Sequence, residues 1–294
     1  MGIAFLFPGQ GSQSVGMAKR LYESHSTLQG LFLRAEEVIG QPLRQLMFEG
    51  PAEALQRTSI TQPALYLHGY AVAQTRPEKP NAVAGHSLGE FTALAVAGVF
   101  SFEEGLELVK VRAQGMQEAC DARPSTMAAI IGLADEVVER LCKEAAEVGV
   151  VVAANYNSPG QIVISGETAA VQAVMAKAKS AGARLVKQLA VNGAFHSPLM
   201  EPARQKLAAA IERIPFRPPQ VPVYPNVSAR SEKDPARLKA LLIEQLTAPV
   251  RWTQTLQAMW SDGIRSFYEL GPGNVLTGLV KRTLPEAQTF TYDS

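Results

Sequence analysis

The sequence is poor in the residues that build disulfide frameworks and metal sites. It contains two cysteines, Cys120 and Cys142, in 294 residues. They lack the close paired spacing of zinc ligands, and two are too few for the cross-linked framework of a small secreted protein. This cysteine usage favours a reducing compartment.

Long apolar runs and a charge bias are also missing. No stretch of eighteen apolar residues occurs, and the opening MGIAFLFPGQ has no basic segment before an apolar run that is too short for a signal peptide. The 28 basic residues are balanced by 27 acidic ones, so no bulk field attracts nucleic acid or an anionic membrane. We expect a cytoplasmic protein without nucleic-acid or membrane partners.

What is present is the composition of a folded protein, 47% hydrophobic and 19% charged. Short apolar runs alternate with longer amphipathic stretches, which predicts a mainly parallel sheet covered by helices. Strands are predicted at 3–7, 82–85, 221–225 and 266–269. Helices are predicted at 62–74, 88–99, 101–118 and 198–213.

One internal segment has a different pattern. Residues 125–191 read as β-α-β-β-α-β, with a Ser-Pro-Gly turn between the central strands. This order is the ferredoxin-like arrangement. We therefore predict a small ferredoxin-like subdomain at 125–191, inserted into a larger α/β body formed by 1–124 and 192–294.

A candidate nucleophile lies in AVAGHSLGE, residues 82–90. Gly85 to Gly89 match G-x-S-x-G after an apolar strand and before a helix, where a strained turn exposes the hydroxyl of Ser87. Chance matches to the pattern arise in about one such chain in ten, and a structural turn serine is the alternative. The placement between strand and helix favours a catalytic Ser87.

The base is found by elimination among four histidines. His25 lies among polar residues, His68 lies in an apolar helical stretch, and His86 adjoins Ser87 at a tight turn, where neighbours usually point apart. His196, just before a predicted helix, remains as the general base.

A third triad member is hard to identify. Asp121 and Asp135 lie between Ser87 and His196 in the sequence, but in ordinary helical or boundary contexts. A main-chain carbonyl can also hold the imidazole tautomer by accepting from its ring N–H. The sequence is therefore compatible with a Ser87–His196 dyad.

An acyl-transfer site also needs N–H donors for the oxyanion. The Leu88 amide follows the nucleophile and is one candidate. In FLFPGQGSQ, Gly9 and Gly11 fit a dinucleotide-binding loop, but Ser14 occupies its third glycine position, and no Gly-Lys-Ser/Thr follows. The exposed Gln10 amide in this loop is the second oxyanion candidate, and a simple tight turn is the alternative.

Arg112 is a candidate specificity residue. It borders a helical apolar stripe made of Leu106, Val109, Ala113 and Met116. Its head group either reaches solvent past a packed stem or forms a bidentate clamp on a substrate carboxylate. Both interpretations fit the pattern.

These residues lie in a series of motifs that together resemble those of a known protein family. FPGQGSQ, TQPAL, GHSLGE, VRAQGMQEA, NYNSPGQIVISG, GAFHSPLM, PVRW and ELGPGNVLTGLVKR occur in this order between residue 4 and about 283. The set resembles the malonyl-CoA:acyl carrier protein transacylases of fatty acid synthesis and the acyltransferases of polyketide synthases. The resemblance implies an α/β-hydrolase-like body with an inserted ferredoxin-like subdomain.

The resemblance also implies roles for individual residues. Ser87 would be acylated, His196 would be its base, and the carbonyl of Arg251 in PVRW would hold the imidazole. Gln10 and Leu88 would supply the oxyanion amides. Substrate contacts would come from three further residues, Arg112 on the malonyl carboxylate, Gln62 in the pocket, and Phe195, whose size favours malonyl over methylmalonyl.

The implied activity is transfer of malonyl from malonyl-CoA to the phosphopantetheine thiol of an acyl carrier protein. It needs no metal and no tightly bound cofactor. Two alternatives remain: a hydrolase that removes acyl groups from carrier proteins, and a non-catalytic module that docks them.

Overall fold

The computed structural model describes residues 2–294, a mixed α/β protein with two four-stranded sheets. The strands are β1 Gly2–Phe7, β2 Ala82–Gly85, β3 Ser125–Ile131, β4 Val151–Ser158, β5 Gln161–Glu167, β6 Leu185–Gln188, β7 Ile264–Leu270 and β8 Gln288–Tyr292. The helices are α1 Lys19–Ser24, α2 Gln29–Ile39, α3 Leu43–Glu49, α4 Ala52–Leu55, α5 Thr58–Thr75, α6 Gly89–Val96, α7 Phe102–Ala122, α8 Asp135–Glu144, α9 Thr168–Ser180, α10 Glu201–Ile211, α11 Pro235–Glu244, α12 Trp252–Ser261 and α13 Val275–Thr283. Short 3-10 helices span Ser26–Leu28 and Pro198–Met200.

The first sheet is parallel and has the strand order β2-β1-β7-β8. Successive side chains of β1 point to opposite faces. Phe5 and Phe7 pack into a core with α2, α5, α6 and α7, whereas Ala4 and Leu6 pack into a second core with α12 and α13. Because helices cover both faces, β1 and β2 are continuous apolar runs, which is why the sequence predicts them.

The second sheet is antiparallel and has the strand order β4-β5-β3-β6. Its elements follow the order β-α-β-β-α-β over residues 125–188, as predicted. Val138 of α8 and Val171 of α9 pack against Ile130 and Ile164 in a separate core. β4 contacts the segment that precedes α12, where the Tyr156 amide donates to the Val250 carbonyl at 2.9 Å.

One predicted strand is absent from the structure, and one observed strand was not predicted. Residues 221–225 form isolated bridges through Val223 instead of a strand, because Pro222 and Pro225 cannot donate ladder hydrogen bonds. The edge strand β8 was not predicted. Its side chains are mostly exposed on both faces, so it lacks an apolar signal.

The helix that carries Arg112 has a well-defined start. Ser101 accepts from the Glu104 amide at 3.1 Å, and the Glu104 carboxylate accepts from the Ser101 amide at 2.7 Å, which forms a capping box for α7. Arg112 lies near the middle of this helix. Within residues 2–294, no helix has both the length and the apolar character needed to cross a membrane.

Candidate active site

Ser87 occupies a sharp turn between β2 and α6. Its φ is 53°, in the left-handed region that non-glycine residues rarely adopt. The flanking glycines permit this turn, because a Cβ at Gly85 would collide with the main chain of Gly89, and a Cβ at Gly89 would collide with the Phe7 carbonyl. The strained turn predicted from G-x-S-x-G is therefore present.

The imidazole of His196 reaches this serine from a distant part of the chain. Its Nε2 lies 2.7 Å from Ser87 Oγ, and its Nδ1 lies 3.0 Å from the carbonyl of Gln245 and 3.2 Å from that of Ala248. A carbonyl can only accept, so Nδ1 carries the proton and Nε2 is free to accept from the Ser87 hydroxyl.

The carbonyl predicted to hold His196 was the wrong one. The Arg251 carbonyl instead accepts from the Thr255 amide at 2.9 Å. Arg251 is the N-cap of α12, and the carbonyl at that position is used by the first hydrogen bond of the helix. The imidazole is therefore held from the preceding segment, through Gln245 and Ala248.

The two candidate oxyanion donors open onto one cavity with the nucleophile. Gln10, Ser87 and Leu88 all line this cavity, whose volume is about 200 Å³. Gly9 packs so closely that a Cβ there would lie 2.5 Å from the His86 carbonyl oxygen. Within residues 2–294, neither the Gln10 nor the Leu88 amide donates to a protein acceptor. Both amides are thus free to bind a developing negative charge.

The head group of Arg112 is buried, so the alternative in which it reaches solvent is wrong. The residue is 1% exposed. Its Nη1 donates to Gln62 Oε1 at 2.8 Å, and its Nη2 donates to Ser87 Oγ at 2.9 Å and to Gln245 Oε1 at 3.2 Å. The ring of Phe91 lies 5.4 Å from the guanidinium carbon. A cation therefore contacts the nucleophile directly.

Glu90 brings an opposite charge into the same region. Burial raises the pKa of Glu90 to about 7, and hydrogen bonds from Gln245 and Asn226 and the charge of Arg112 oppose this shift. Burial lowers the pKa of Arg112 to about 9, which leaves it cationic at neutral pH. Burial, followed by the charge of Arg112, lowers the pKa of His196 to about 3. The imidazole is therefore neutral at physiological pH.

Sequence reasoning missed three residues of this network: Glu90, Asn226 and Gln245. The one available signal was Glu90, a single charge in the otherwise apolar or small-residue run after the G-x-S-x-G turn. Asn226 and Gln245 had no such signal, because both lie outside the strands and apolar-stripe helices that carry recognisable patterns.

The remaining predicted residues also lie at or beside the cavity. Phe195 lines it and is 8% exposed, while Gln62 is fully buried behind Arg112. The second sheet contributes the opposite wall, with residues that include Asn155 and Asn157. The cavity therefore lies between the two sheets. Within residues 2–294, no cluster of three or more His, Cys, Asp or Glu side chains is arranged to hold a metal ion.

The chain is similar to known proteins over nearly its whole length. A family model described as an acyl transferase domain matches residues 4–292. Malonyl CoA-acyl carrier protein transacylase of Haemophilus influenzae is 42% identical, with 99% of this chain and 95% of the relative covered. The Escherichia coli K12 protein of the same name is 44% identical, with coverage of 95% and 92%.

Solved structures give the same result. An acyl carrier protein S-malonyltransferase from Vibrio cholerae superposes with a TM-score of 0.96 at 42% identity, covering 100% of this chain and 97% of that one. A malonyl-transacylase in complex with its type II PKS acyl-carrier protein superposes with a TM-score of 0.96 at 40% identity, covering 100% and 96%.

A serine on a strand-to-helix turn of a parallel sheet, with an imidazole on its hydroxyl, defines an enzyme that acts on acyl groups. The family match narrows this class to acyl transferases. The chain belongs to the malonyl CoA-acyl carrier protein transacylase family. The resemblance predicted from the motifs is thereby confirmed.

Proposed function

We propose that this protein transfers a malonyl group from malonyl-CoA to the phosphopantetheine thiol of an acyl carrier protein, through an ester on Ser87. One observation carries the proposal. Ser87 Oγ lies 2.7 Å from His196 Nε2 and 2.9 Å from Arg112 Nη2, so the nucleophile touches both a base and a carboxylate-binding cation. Its family membership supports the same activity.

The first half-reaction acylates the enzyme. His196 Nε2 takes the proton of Ser87 as Oγ attacks the thioester carbonyl of malonyl-CoA. The Gln10 and Leu88 amides stabilise the oxyanion of the tetrahedral intermediate. When the intermediate collapses, the C–S bond breaks, His196 returns the proton to the departing CoA sulfur, and malonyl remains esterified to Ser87.

The second half-reaction reverses these roles. The phosphopantetheine thiol of the carrier protein attacks the seryl ester while His196 accepts the thiol proton. Collapse of the second intermediate breaks the bond to Ser87 Oγ, which regains its proton from His196. The two halves give ping-pong transfer, and each step uses only side chains and amides of this chain with the two thiols.

The Arg112 guanidinium explains the choice of a malonyl group. Its planar fork matches a carboxylate, and a charge-assisted pair in a buried site is strong. Arg112 also holds the pKa of His196 low. A bound malonyl carboxylate offsets that positive charge, so the basicity of His196 rises when the correct donor arrives. Phe195 lines the cavity wall, and we assign it the role of limiting the size of the acyl chain.

We further propose that the larger body, residues 1–124 and 192–294, is α/β-hydrolase-like and that 125–191 is a ferredoxin-like subdomain. The parallel sheet with its nucleophile turn supports the first assignment. The strand order β4-β5-β3-β6 of the antiparallel sheet supports the second. The cavity between the sheets is then a cleft between subdomains.

A hydrolase and a docking module are the alternatives. A hydrolase would use the same seryl ester but pass it to water, and it has no need of a buried cation for the acyl carboxylate. A docking module needs no nucleophile, base or oxyanion donors. Arg112, Ser87 and His196 in mutual contact therefore favour transfer.

The test is the mass of the protein after incubation with malonyl-CoA. We expect the wild type to gain one malonyl group and Ser87→Ala to gain none, while Ser165→Ala, which changes a buried serine in β5, should behave as wild type. Adding a carrier protein should yield malonyl-carrier faster than free malonate. An adduct on Ser87→Ala, or faster release of malonate, would refute the proposal.

A further inference from the structure

Glu90 is the one charged residue of α6, and it is 1% exposed, one turn after the nucleophile elbow. Its Oε2 accepts two hydrogen bonds, from the Asn226 amide at 2.9 Å and from Gln245 Nε2 at 2.8 Å. Both donors come from segments more than 130 positions away in sequence. One carboxylate oxygen therefore ties two distant segments to the nucleophile helix.

The first of these segments holds the nucleophile turn. Asn226 Oδ1 accepts from the Ser87 amide at 2.7 Å, and Asn226 Nδ2 donates to the Gly85 carbonyl at 2.7 Å. These two contacts bracket the strained residue. Because Glu90 holds the Asn226 main chain, it also supports the position from which Asn226 reaches the turn.

The second segment touches the remaining reactive groups. Gln245 Nε2 donates to the Ser87 carbonyl at 3.0 Å, its Oε1 accepts from Arg112 Nη2 at 3.2 Å, and its main-chain carbonyl lies 3.0 Å from His196 Nδ1. Both Nε2 protons of Gln245 are thus used, one on Glu90 and one on Ser87. Glu90 and the Ser87 carbonyl, as acceptors, together with the Arg112 donor, hold the Gln245 amide with Nε2 toward Glu90 and Ser87 and Oε1 toward Arg112.

We propose that Glu90 is a positioning residue for the reaction, and that it acts through Asn226 and Gln245 to hold Ser87, Arg112 and His196 in register. The inference deepens the proposed function, on which it rests for the roles of these three residues. Without an acceptor at Oε2, the Gln245 amide keeps its contacts to the Ser87 carbonyl and Arg112 but loses the one that ties it to α6, so both partners can shift with it. Misplacement of reacting groups by about 1 Å costs on the order of 100-fold in rate.

A role in folding alone explains this arrangement less well. Burial of a carboxylate disfavours its ionised form. Hydrogen bonds to the carboxylate usually do no more than offset this desolvation cost in the free energy of folding. The ionised Glu90 therefore works against stability, while its hydrogen bonds converge on the reactive groups.

Three substitutions distinguish the effect of the length of the Glu90 side chain from the effect of its charge. Glu90→Gln keeps the length and one acceptor oxygen, Glu90→Asp keeps the charge but is one methylene short, and Glu90→Ala removes both. We expect the acylation rate at saturating malonyl-CoA to be highest in Glu90→Gln, lower in Glu90→Asp and lowest in Glu90→Ala. The Gln variant should stay within about 10-fold of wild type, and the Ala variant should be about 100-fold slower than wild type. KM for malonyl-CoA should change less than the rate constant.

A second measurement does not depend on malonyl-CoA binding. Phenylmethanesulfonyl fluoride is neutral and labels an activated serine, so its rate of reaction with Ser87 should follow the same order. The control is Glu104→Ala, which removes the carboxylate half of the α7 capping box and its pair with Arg217, while Glu104 contacts neither Asn226 nor Gln245. It should lower Tm and leave the labelling rate unchanged.

The outcomes are distinguishable. A folded Glu90→Ala variant with wild-type rates, or an Asp variant that outperforms Gln, would overturn the inference. If Glu90→Ala does not fold, the comparison of Asp with Gln decides. If the wild type takes up no malonyl group, the proposed function fails, while sulfonyl labelling still tests Glu90.

Discussion

Arg112 Nη2 donates to Ser87 Oγ at 2.9 Å, while the same oxygen lies 2.7 Å from His196 Nε2. The serine hydroxyl therefore donates to the imidazole and accepts from the guanidinium. In the proposed mechanism this cation has two roles, since it binds the malonyl carboxylate and its charge lowers the pKa of His196. A carboxylate that pairs with Arg112 also competes with Ser87 for the same donor, which frees a lone pair of the nucleophile.

Replacing Arg112 should discriminate between acyl donors. Arg112→Ala removes charge-assisted hydrogen bonds that a malonyl carboxylate can use and an acetyl group cannot. We expect kcat/KM for malonyl-CoA to fall roughly 10- to 100-fold more than that for acetyl-CoA. Initial rates of acyl-enzyme formation measure this ratio. Arg34→Ala, which removes an exposed arginine paired with Glu37, is the control, and equal losses for both donors would refute the clamp.

The pKa of His196 should respond to the same substitution. Burial and the charge of Arg112 both lower this pKa, so Arg112→Ala should raise it. The acid limb of the pH profile for Ser87 labelling by a neutral sulfonyl fluoride should therefore move to higher pH in the variant. NMR titration of the imidazole gives an independent value. A limb that stays in place or moves to lower pH would contradict the proposed coupling.

The free energy of unfolding should depend on pH through the ionisation of Glu90. Its pKa is about 7 in the folded state against an ordinary 4.5, so between these values the folded state binds a proton that the unfolded state lacks. Wild-type stability should fall by up to about 3 kcal/mol as pH rises through this window. Glu90→Gln has no carboxylate to lose a proton, so the Tm of the variant minus the Tm of wild type should increase from pH 4.5 to 8.

The control for this pH effect is Glu104→Gln, since interaction with Arg217 lowers the pKa of Glu104. Its stability contribution is lost below pH 4.5, so its Tm difference from wild type should stay flat over the same range. A constant Tm difference for Glu90→Gln would show that Glu90 does not titrate there.

The opening loop can be tested through its glycine. A Cβ at position 9 would lie 2.5 Å from the His86 carbonyl, so Gly9→Ala must displace the loop that presents the Gln10 amide. We expect the acylation rate to fall by about 100-fold, as when an oxyanion donor is lost. Gly30→Ala in α2 meets no atom within 4 Å and should retain activity. An active Gly9→Ala enzyme would remove the Gln10 amide from the mechanism.

Phe195 should limit the size of the acyl group. Phe195→Ala enlarges the cavity beside Ser87 and should raise the rate with methylmalonyl-CoA relative to malonyl-CoA by about 10-fold. Competition between the two donors, read by mass spectrometry of the acyl-enzyme, measures the ratio. Phe216→Ala, which trims a partly buried ring outside the cavity, should leave it unchanged. An unaltered ratio in Phe195→Ala would exclude Phe195 as the size filter.

Prediction from sequence succeeded where a feature depends on neighbours in the chain. The turn at Ser87 follows from an apolar strand, two glycines and a helix start, all within residues 82–96. The parallel strands β1 and β2 also carried a local signal, because burial on both faces demands continuous apolar runs. The strand predicted at 221–225 was wrong because its two prolines cannot donate the hydrogen bonds of a sheet, although its other residues are apolar.

The sequence alone was sufficient to predict Ser87 as the nucleophile and His196 as its base, because residue type and local pattern restrict those roles to few positions, and the structure brings the two side chains into contact. The tertiary structure alone revealed that Gln245 and Ala248, and not Arg251, hold the imidazole, and that Glu90 joins the site through Asn226 and Gln245. These contacts join segments far apart in the chain. Their geometry depends on how two sheets and their helices pack, which no local pattern records.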